Sequence, residues 1–173
     1  MNAASTRAEV PAGVLLGGFH QAAWVVHDLD AAERYFVETV GVPSFFRMEG
    51  IAAQDLNGTY RGAPGNWGCD ALIGYHGELQ IELIGNAWGE SIFTDFLERS
   101  GPGLQHMGYI VESPDASRAF LQGSGYPLVQ SFEPPGAKVA YHDTAAAIGI
   151  MTETIWLDDT SRALFERIKR GEF

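Results

Sequence analysis

Apolar and polar residues alternate in several short stretches of this chain, and two of these stretches resemble each other. The first, residues 18–26, contains His20 within a run of Ala, Val and Trp, and the second, residues 104–111, contains His106 in a similar setting. The alternation in the first stretch is weak, and its content of Val, Trp and Ala is typical of a largely buried β-strand. In each copy a helical spacing of apolar residues follows. The pattern therefore predicts a strand followed by a helix, twice.

Residues that favour helix ends bracket both predicted helices. In the first copy Asp28 or Asp30 can act as the N-cap, and Glu33 follows Asp30 at the spacing of a capping box. In the second copy Ser113 precedes Pro114, as expected for an N-cap followed by the first helical residue. Both helices are thus predicted to begin directly after their strand.

The two copies can be aligned by their spacings. A Gly-x-Pro sequence that stops a helix occurs at 41–43 and again at 125–127, an offset of 84 (125 − 41 = 84). The two histidines are 86 apart (106 − 20 = 86). The similar offsets indicate an internal duplication.

Each copy also ends in a strand that carries a glutamate on one face. Residues 78–84 alternate so that Glu82 lies opposite the apolar side chains Leu79, Ile81 and Leu83. Residues 149–156 form the matching strand, in which Glu153 shares a face with Met151 and Ile155. Further strands are predicted at 44–48, 71–75, 128–132 and 138–142. The first copy is about 13 residues longer, and the glycine-rich stretch 50–77 is the predicted place of the insertion.

These elements predict an α+β fold of two tandem βαβββ modules. The predicted divisions are a mobile tail at 1–16, a first module at 17–85, a linker with a short helix at 86–103, a second module at 104–157 and a C-terminal helix at 158–173.

Composition narrows the range of functions. The 11 Lys and Arg residues against 22 Asp and Glu residues give a net charge of −11, which disfavours nucleic acid as a partner. No apolar run is long enough to span a membrane, and residues 1–7 lack the features of a signal peptide. Cys69 is the single cysteine, so an intrachain disulfide is impossible and a cytoplasmic location is expected.

His20, Glu82, His106 and Glu153 occupy equivalent strands in the two copies. A lone histidine or glutamate on a strand is more often a packed or solvated residue than a ligand. Four of them in matching positions favour a shared site. Two imidazoles and two carboxylates suit one divalent ion such as Fe, Co, Ni, Zn or Mn. His27, His76 and His142 have no counterpart in the repeat and are not expected to bind metal.

The sequence resembles the vicinal oxygen chelate superfamily, which includes glyoxalase I, methylmalonyl-CoA epimerase, extradiol dioxygenases and bleomycin-resistance proteins. The resemblance covers about residues 18–156 and is carried by HQAAWVVHDLDAAERYFVETVGV, GELQIELIG, GPGLQHMGYIVESPDASRAFL and AIGIMTETIW. It implies a cupped mixed sheet around a metal site with helices outside, and it places the ligands on His20, Glu82, His106 and Glu153.

The resemblance also implies a reaction. With both Glu82 and Glu153 present, we expect proton abstraction next to a carbonyl through a metal-stabilised enolate, with Glu153 or Glu82 as the base. An epimerase or isomerase acting on a small carbonyl substrate is the first expectation. A glyoxalase I-like lyase, a non-haem iron dioxygenase and a small-molecule binding or resistance protein remain as alternatives. The resemblance also makes a homodimer plausible.

Overall fold

A computed structural model describes residues 20–173 and contains the repeated strand–helix–strand pattern. The predicted tail, 1–16, lies outside the described residues. The strands of the first half are β1 (Gln21–Val25), β2 (Phe45–Ala52), β3 (Thr59–Tyr60), β4 (Ala63–Pro64), β5 (Trp67–His76) and β6 (Leu79–Gly89). Those of the second half are β7 (Gly103–Ile110), β8 (Leu128–Phe132), β9 (Ala137–His142) and β10 (Met151–Leu157). The helices are α1 (Leu29–Tyr35), α2 (Ile92–Ser100), α3 (Pro114–Gly123), α4 (Ala145–Ile148) and α5 (Asp159–Lys169).

The ten strands of residues 20–173 form one sheet in the order β2-β5-β6-β1-β7-β10-β9-β8-β3-β4. Within each half the first strand pairs in parallel with the last, β1 with β6 and β7 with β10. The antiparallel pairing of β1 with β7 joins the halves at the centre of the sheet. The predicted α+β class with two βαβββ repeats and a curled mixed sheet is confirmed.

The insertion in the first half makes a structure of its own. Residues Ala53–Asp55 form a 3-10 turn, and β3 and β4 form a small hairpin. Strand β3 pairs with β8 of the second half, where the hydroxyls of Thr59 and Ser131 are 2.8 Å apart. The predicted strand at 71–75 is extended in both directions as β5, and β6 continues to Gly89, beyond the module boundary predicted at 85.

The helix ends follow the sequence in all but one detail. The Asp28 carboxylate accepts a hydrogen bond from the Ala31 backbone N–H at 2.9 Å, so Asp28 is the N-cap of α1. The alternative capping box of Asp30 and Glu33 is not formed, because both carboxylates pair with Arg47. Helix α1 continues as a π-helical turn, Phe36–Val40, which ends as predicted at Gly41.

The cap predicted for the second helix is also present, and the C-terminal helix has an N-cap of its own. Ser113 caps α3 with Pro114 in its first turn, and Asp158 caps α5. Helix α2 lies inside the region where a bridging helix was predicted.

The two faces of the sheet carry different layers. On one face Leu72, Ile81 and Leu83 pack against Leu29 and Phe36 of the first helical segment. Alternation places Glu82 on the other face, which we call the site face. Among residues 20–173, no helix is both long and apolar enough to cross a membrane.

Two helices contribute to the site face. Phe93 of α2 packs with Trp67 and Ile84 at one end, and Ile168 of α5 packs with Ile73 and Tyr75 at the other.

Cys69 of β5 is buried in the cluster that contains Trp67 and Ile84. Burial raises the pKa of its thiol, and the nearby carboxylates of Glu82 and Asp70 raise it further.

Candidate metal centre

Three of the four predicted ligands meet at the centre of the sheet. Nε2 of His106 lies 3.2 Å from a carboxylate oxygen of Glu82 and 3.4 Å from one of Glu153. One ligand atom from each residue lies within 4.8 Å of both others, and all three residues are buried. The prediction that these residues share one site agrees with this geometry.

The strand register explains why they meet. Ala23 of β1 is paired with Glu82 on one side and with His106 on the other. Two residues further along β7, Gly108 is paired with Glu153. Because Ala23 and Gly108 have little or no side chain, the space between the ligand side chains is left open.

The structure does not bring His20 into this group, contrary to the sequence-based assignment. No ring nitrogen of His20 lies within 4.8 Å of ligand atoms of all three other residues. Its ring instead packs against Tyr75 and Phe165, with centroid distances of 6.3 and 6.4 Å. The error has a simple cause, because a shift of one residue in a strand exchanges the residues that face the site.

Gln21, which the sequence reasoning missed, occupies the position assigned to His20. It pairs with Gly108 across the β1–β7 junction, as His106 pairs with Ala23. A Cβ built on Gly108 would lie 2.6 Å from Oε1 of Gln21 and 2.8 Å from Oε2 of Glu153. These two oxygens are therefore at most 5.4 Å apart (2.6 + 2.8 = 5.4).

A signal in the sequence could have identified Gln21. The N-caps Asp28 and Ser113 are 85 apart (113 − 28 = 85), and so are Gln21 and His106 (106 − 21 = 85). Counting back seven residues from each helix cap gives the correct pair (28 − 21 = 7; 113 − 106 = 7). The spacing of the two histidines differs from this offset by one.

Neighbouring side chains orient the Gln21 amide. Its Nε2 donates to Oε1 of Gln80 at 2.8 Å, and Nε2 of Gln80 donates in turn to the Tyr75 hydroxyl at 2.7 Å. The network uses the nitrogen of Gln21 and leaves its Oε1 directed at the site. That oxygen is buried and has no hydrogen-bond partner in the part of the chain that the structure describes.

Gln105 orients the His106 ring in a similar way. The β1–β7 register shifts between Ala23 and Trp24, so that Gln105 is an extra residue in the ladder, a β-bulge. Its Oε1 lies 2.6 Å from Nδ1 of His106. An acceptor at Nδ1 holds a ring proton there, so that Nε2 is the ring atom that faces the glutamates and would bind a metal ion.

The electrostatics of the site reflect two carboxylates in a buried setting. Burial alone would lower the pKa of His106, but the negative charges of Glu153 and Glu82 beside Nε2 outweigh it and raise the pKa to about 9. Burial raises the pKa of Glu82. Tyr141, whose ring contacts His106 edge-on, has a pKa raised by burial and by both carboxylates.

The donor set fits a divalent cation. Four buried atoms of the site lack a hydrogen-bond partner among residues 20–173: Gln21 Oε1, Glu82 Oε2, His106 Nε2 and Glu153 Oε2. Buried charges are normally paired or bound to metal, because an uncompensated charge is costly away from water. Three oxygens and one imidazole nitrogen form a set that accepts Mn, Fe, Co, Ni or Zn.

The other histidines lie away from this centre. His27 and His76 are exposed, and the Nδ1 atom of buried His142 lies 3.1 Å from the Tyr126 carbonyl oxygen.

Beside the centre lies a cavity of about 200 Å³ on the site face. Gln21, Glu82 and Glu153 line it together with apolar side chains from the sheet and from α5. A small molecule in this cavity would thus contact the ligand side chains directly.

Comparison with known proteins agrees with the fold. No curated protein sequence matches the chain. The methylmalonyl-CoA epimerase of Mycobacterium tuberculosis has a similar structure, with a TM-score of 0.63 and 20% identity, and the match covers 90% of this chain and 97% of that chain. A hypothetical protein of Bacillus halodurans C-125 matches with a TM-score of 0.63 and 18% identity over 82% of this chain and 95% of that chain.

A methylmalonyl-CoA epimerase in complex with methylmalonyl-CoA and NH4+ matches with a TM-score of 0.61 and 16% identity over 82% of this chain and 94% of that chain. Such low identities show a common fold and leave the reaction to be inferred from the site. The model of the Glyoxalase/Bleomycin resistance protein/Dioxygenase superfamily matches residues 20–141, well over half of the chain. The chain therefore belongs to this superfamily, as its sequence resemblance predicted.

Proposed function

We propose that the protein is a divalent-metal-dependent enzyme that moves a proton at a carbon next to a carbonyl, as an epimerase or isomerase does. The observation that carries the proposal is the group of four buried, unpartnered ligand atoms beside a cavity. The ligands proposed are Gln21, Glu82, His106 and Glu153. The epimerase folds of the structural neighbours agree with this reaction class.

The side chains of the site have different proposed roles in the reaction. A divalent ion held there would polarise a substrate carbonyl and so acidify the neighbouring C–H bond. Glu82 and Glu153 belong to different halves of the sheet, so that one carboxylate can take the proton and the other can return it. Gln21 and His106, held by Gln80 and Gln105, keep fixed positions while the carboxylates act.

The first test is metal content. Protein stripped with a chelator is dialysed against Mn, Fe, Co, Ni or Zn, and the bound metal is measured by elemental analysis. One ion per chain is expected. A chain that binds none of these ions at micromolar concentration would contradict the proposal.

The second test is proton exchange. The metal-loaded protein is incubated in deuterated water with a panel of acyl and keto compounds, and loss of the α-proton signal is followed by NMR. Glu153→Gln and Glu82→Gln are expected to lower the exchange rate by about 10²–10⁴-fold if the residue is the base. Glu112→Gln, on an exposed residue, is the matched control. Oxygen consumption without exchange would indicate a dioxygenase instead.

The homodimer and the cytoplasmic location stay predictions. Analytical ultracentrifugation of the purified chain tests the first, and fractionation of the source cells tests the second.

A further inference from the structure

The cavity beside the proposed metal centre is lined mainly by apolar side chains. Its sheet wall includes Ile73, Phe132, Val139 and Ile155, and Leu164 and Phe165 of α5 form a wall of the same cavity. The polar residues that line it are Gln21, Glu82, Glu153 and Ser161. Among the described lining residues, the polar side chains other than Ser161 are therefore three of the proposed ligands.

Within residues 20–173, no positively charged side chain lines this cavity. Among the described residues that line it, none is Lys, Arg or His. Of the three basic residues of α5, Arg162 and Lys169 line a neighbouring cavity, and Arg167 lines neither cavity. Arg162 donates there to the Leu157 carbonyl oxygen, and Lys169 pairs with Glu78.

The charges of the centre are balanced without a substrate charge. Two carboxylates contribute −2 and a divalent ion would contribute +2, while Gln21 and a neutral His106 contribute nothing. An anionic substrate would add an uncompensated negative charge in an apolar cavity, and such burial is strongly unfavourable. The net charge of −11 for the whole chain adds to the repulsion.

The size of the cavity favours a small ligand. A volume of about 200 Å³ lies below the ~300–1,000 Å³ typical of pockets for drug-sized ligands. It slightly exceeds an engineered cavity of ~150 Å³ that binds benzene. The space therefore suits a ligand of roughly one ring or a short aliphatic chain.

From these observations we infer that the substrate is an uncharged, compact, apolar carbonyl compound and that α5 sets this preference. The inference rests on the proposed function and names its substrate class. It differs from methylmalonyl-CoA, the ligand named for one structural neighbour, which carries a carboxylate and a large phosphorylated carrier.

Two probes of equal shape test the charge preference. 2,3-Hexanedione is neutral. In 2-oxopentanoate a carboxylate oxygen takes the place of the methyl group that is bonded to the C2 carbonyl of the dione. Both contain the same exchangeable CH₂ next to a carbonyl. Exchange is measured by NMR with the metal-loaded protein, and binding is measured separately by saturation-transfer NMR with both the metal-loaded and the metal-free protein. The neutral probe is expected to bind at least about tenfold more tightly.

The second part of the experiment tests the role of α5 with a substitution in this helix. Leu164→Arg places a cation at the cavity, and because Leu164 is 36% exposed the substitution leaves the charged end a path to water. We expect it to narrow or reverse the preference for the neutral probe. Ala163→Arg adds the same charge on the exposed side of the same helix and is expected to leave the preference unchanged.

The possible outcomes separate the two proposals. Exchange of the anion in preference to the neutral probe would overturn the substrate class and leave the proposed reaction standing. If neither probe exchanges, the proposed reaction fails for this substrate class, and the binding ratio still decides whether the cavity selects neutral ligands. Equal binding of both probes, or equal effects of Leu164→Arg and Ala163→Arg, would also overturn the inference.

Discussion

Gly108 is the residue whose substitution most directly tests the geometry of the site. It lies on β7 between Gln21 and Glu153 in the register of the sheet. The added methyl group of Gly108→Ala would lie 2.6 Å from Oε1 of Gln21 and 2.8 Å from Oε2 of Glu153. Ordinary contacts of a Cβ begin at about 3.4 Å.

The required displacement gives the expected size of the effect. The two oxygens must retreat by about 0.8 Å and 0.6 Å (3.4 − 2.6 and 3.4 − 2.8). Metal–ligand distances vary by only about ±0.2 Å, so both oxygens would be displaced from metal-binding distance. We expect metal affinity to fall by at least the ~10–100-fold that loss of a supporting residue causes. Overpacking should also lower the free energy of unfolding by about 1–3 kcal/mol.

The assay is competition with a coloured chelator, followed by thermal unfolding with and without metal. Gly103→Ala is the matched control, because a Cβ on this other glycine of β7 would meet only Phe96, at an ordinary 3.7 Å. It should leave metal affinity unchanged. If Gly108→Ala bound metal as tightly as the unaltered protein, neither Gln21 nor Glu153 could be a ligand in the arrangement described.

Three further predictions concern other residues of the site and the core. Gln21→Leu should weaken metal binding, measured by chelator competition, by at least about tenfold, whereas His20→Leu should leave it unchanged. The reverse result would show that His20, and not Gln21, is the ligand. Gln105→Leu removes the acceptor for Nδ1 of His106 and should weaken metal binding by about 10–100-fold with the fold intact by circular dichroism. Burial lowers the pKa of His142, so the unfolded chain binds its proton more readily and stability should be lost as the pH falls below 6.5. The melting temperature of His142→Gln should therefore fall less between pH 7.5 and pH 5.5 than that of the unaltered protein, and parallel decreases would contradict the assignment.

The repeat, the helix caps and the glutamate strands could be predicted because each is a local property of the chain. Alternation fixes the face that carries Glu82, and Ser113 with Pro114 fixes a helix start, without knowledge of any distant residue. The position of Gln21 could not be obtained from local alternation alone. Residues on a buried central strand are apolar on both faces, so the pattern around His20 does not reveal which face is the inner one.

The insertion in the first half was located by its length, but its structure depends on distant residues. The two-residue strands β3 and β4 are too short to be recognised from alternation, and β3 is stabilised by pairing with β8, about 70 residues away. The β-bulge at Gln105 is likewise a property of the β1–β7 pairing. Such features arise from contacts between elements, which the sequence of either element does not contain.

The buried thiol of Cys69 provides a built-in reporter for the molecule. Its raised pKa and its burial in β5 keep the thiolate, the reactive form, scarce in the folded chain. A thiol reagent such as DTNB should therefore react with the protein only when this part of the sheet opens. A metal ion that binds only the folded chain should slow the labelling by the factor 1 + [metal]/Kd. The rate of a single colorimetric reaction would then measure metal affinity in the unmodified protein.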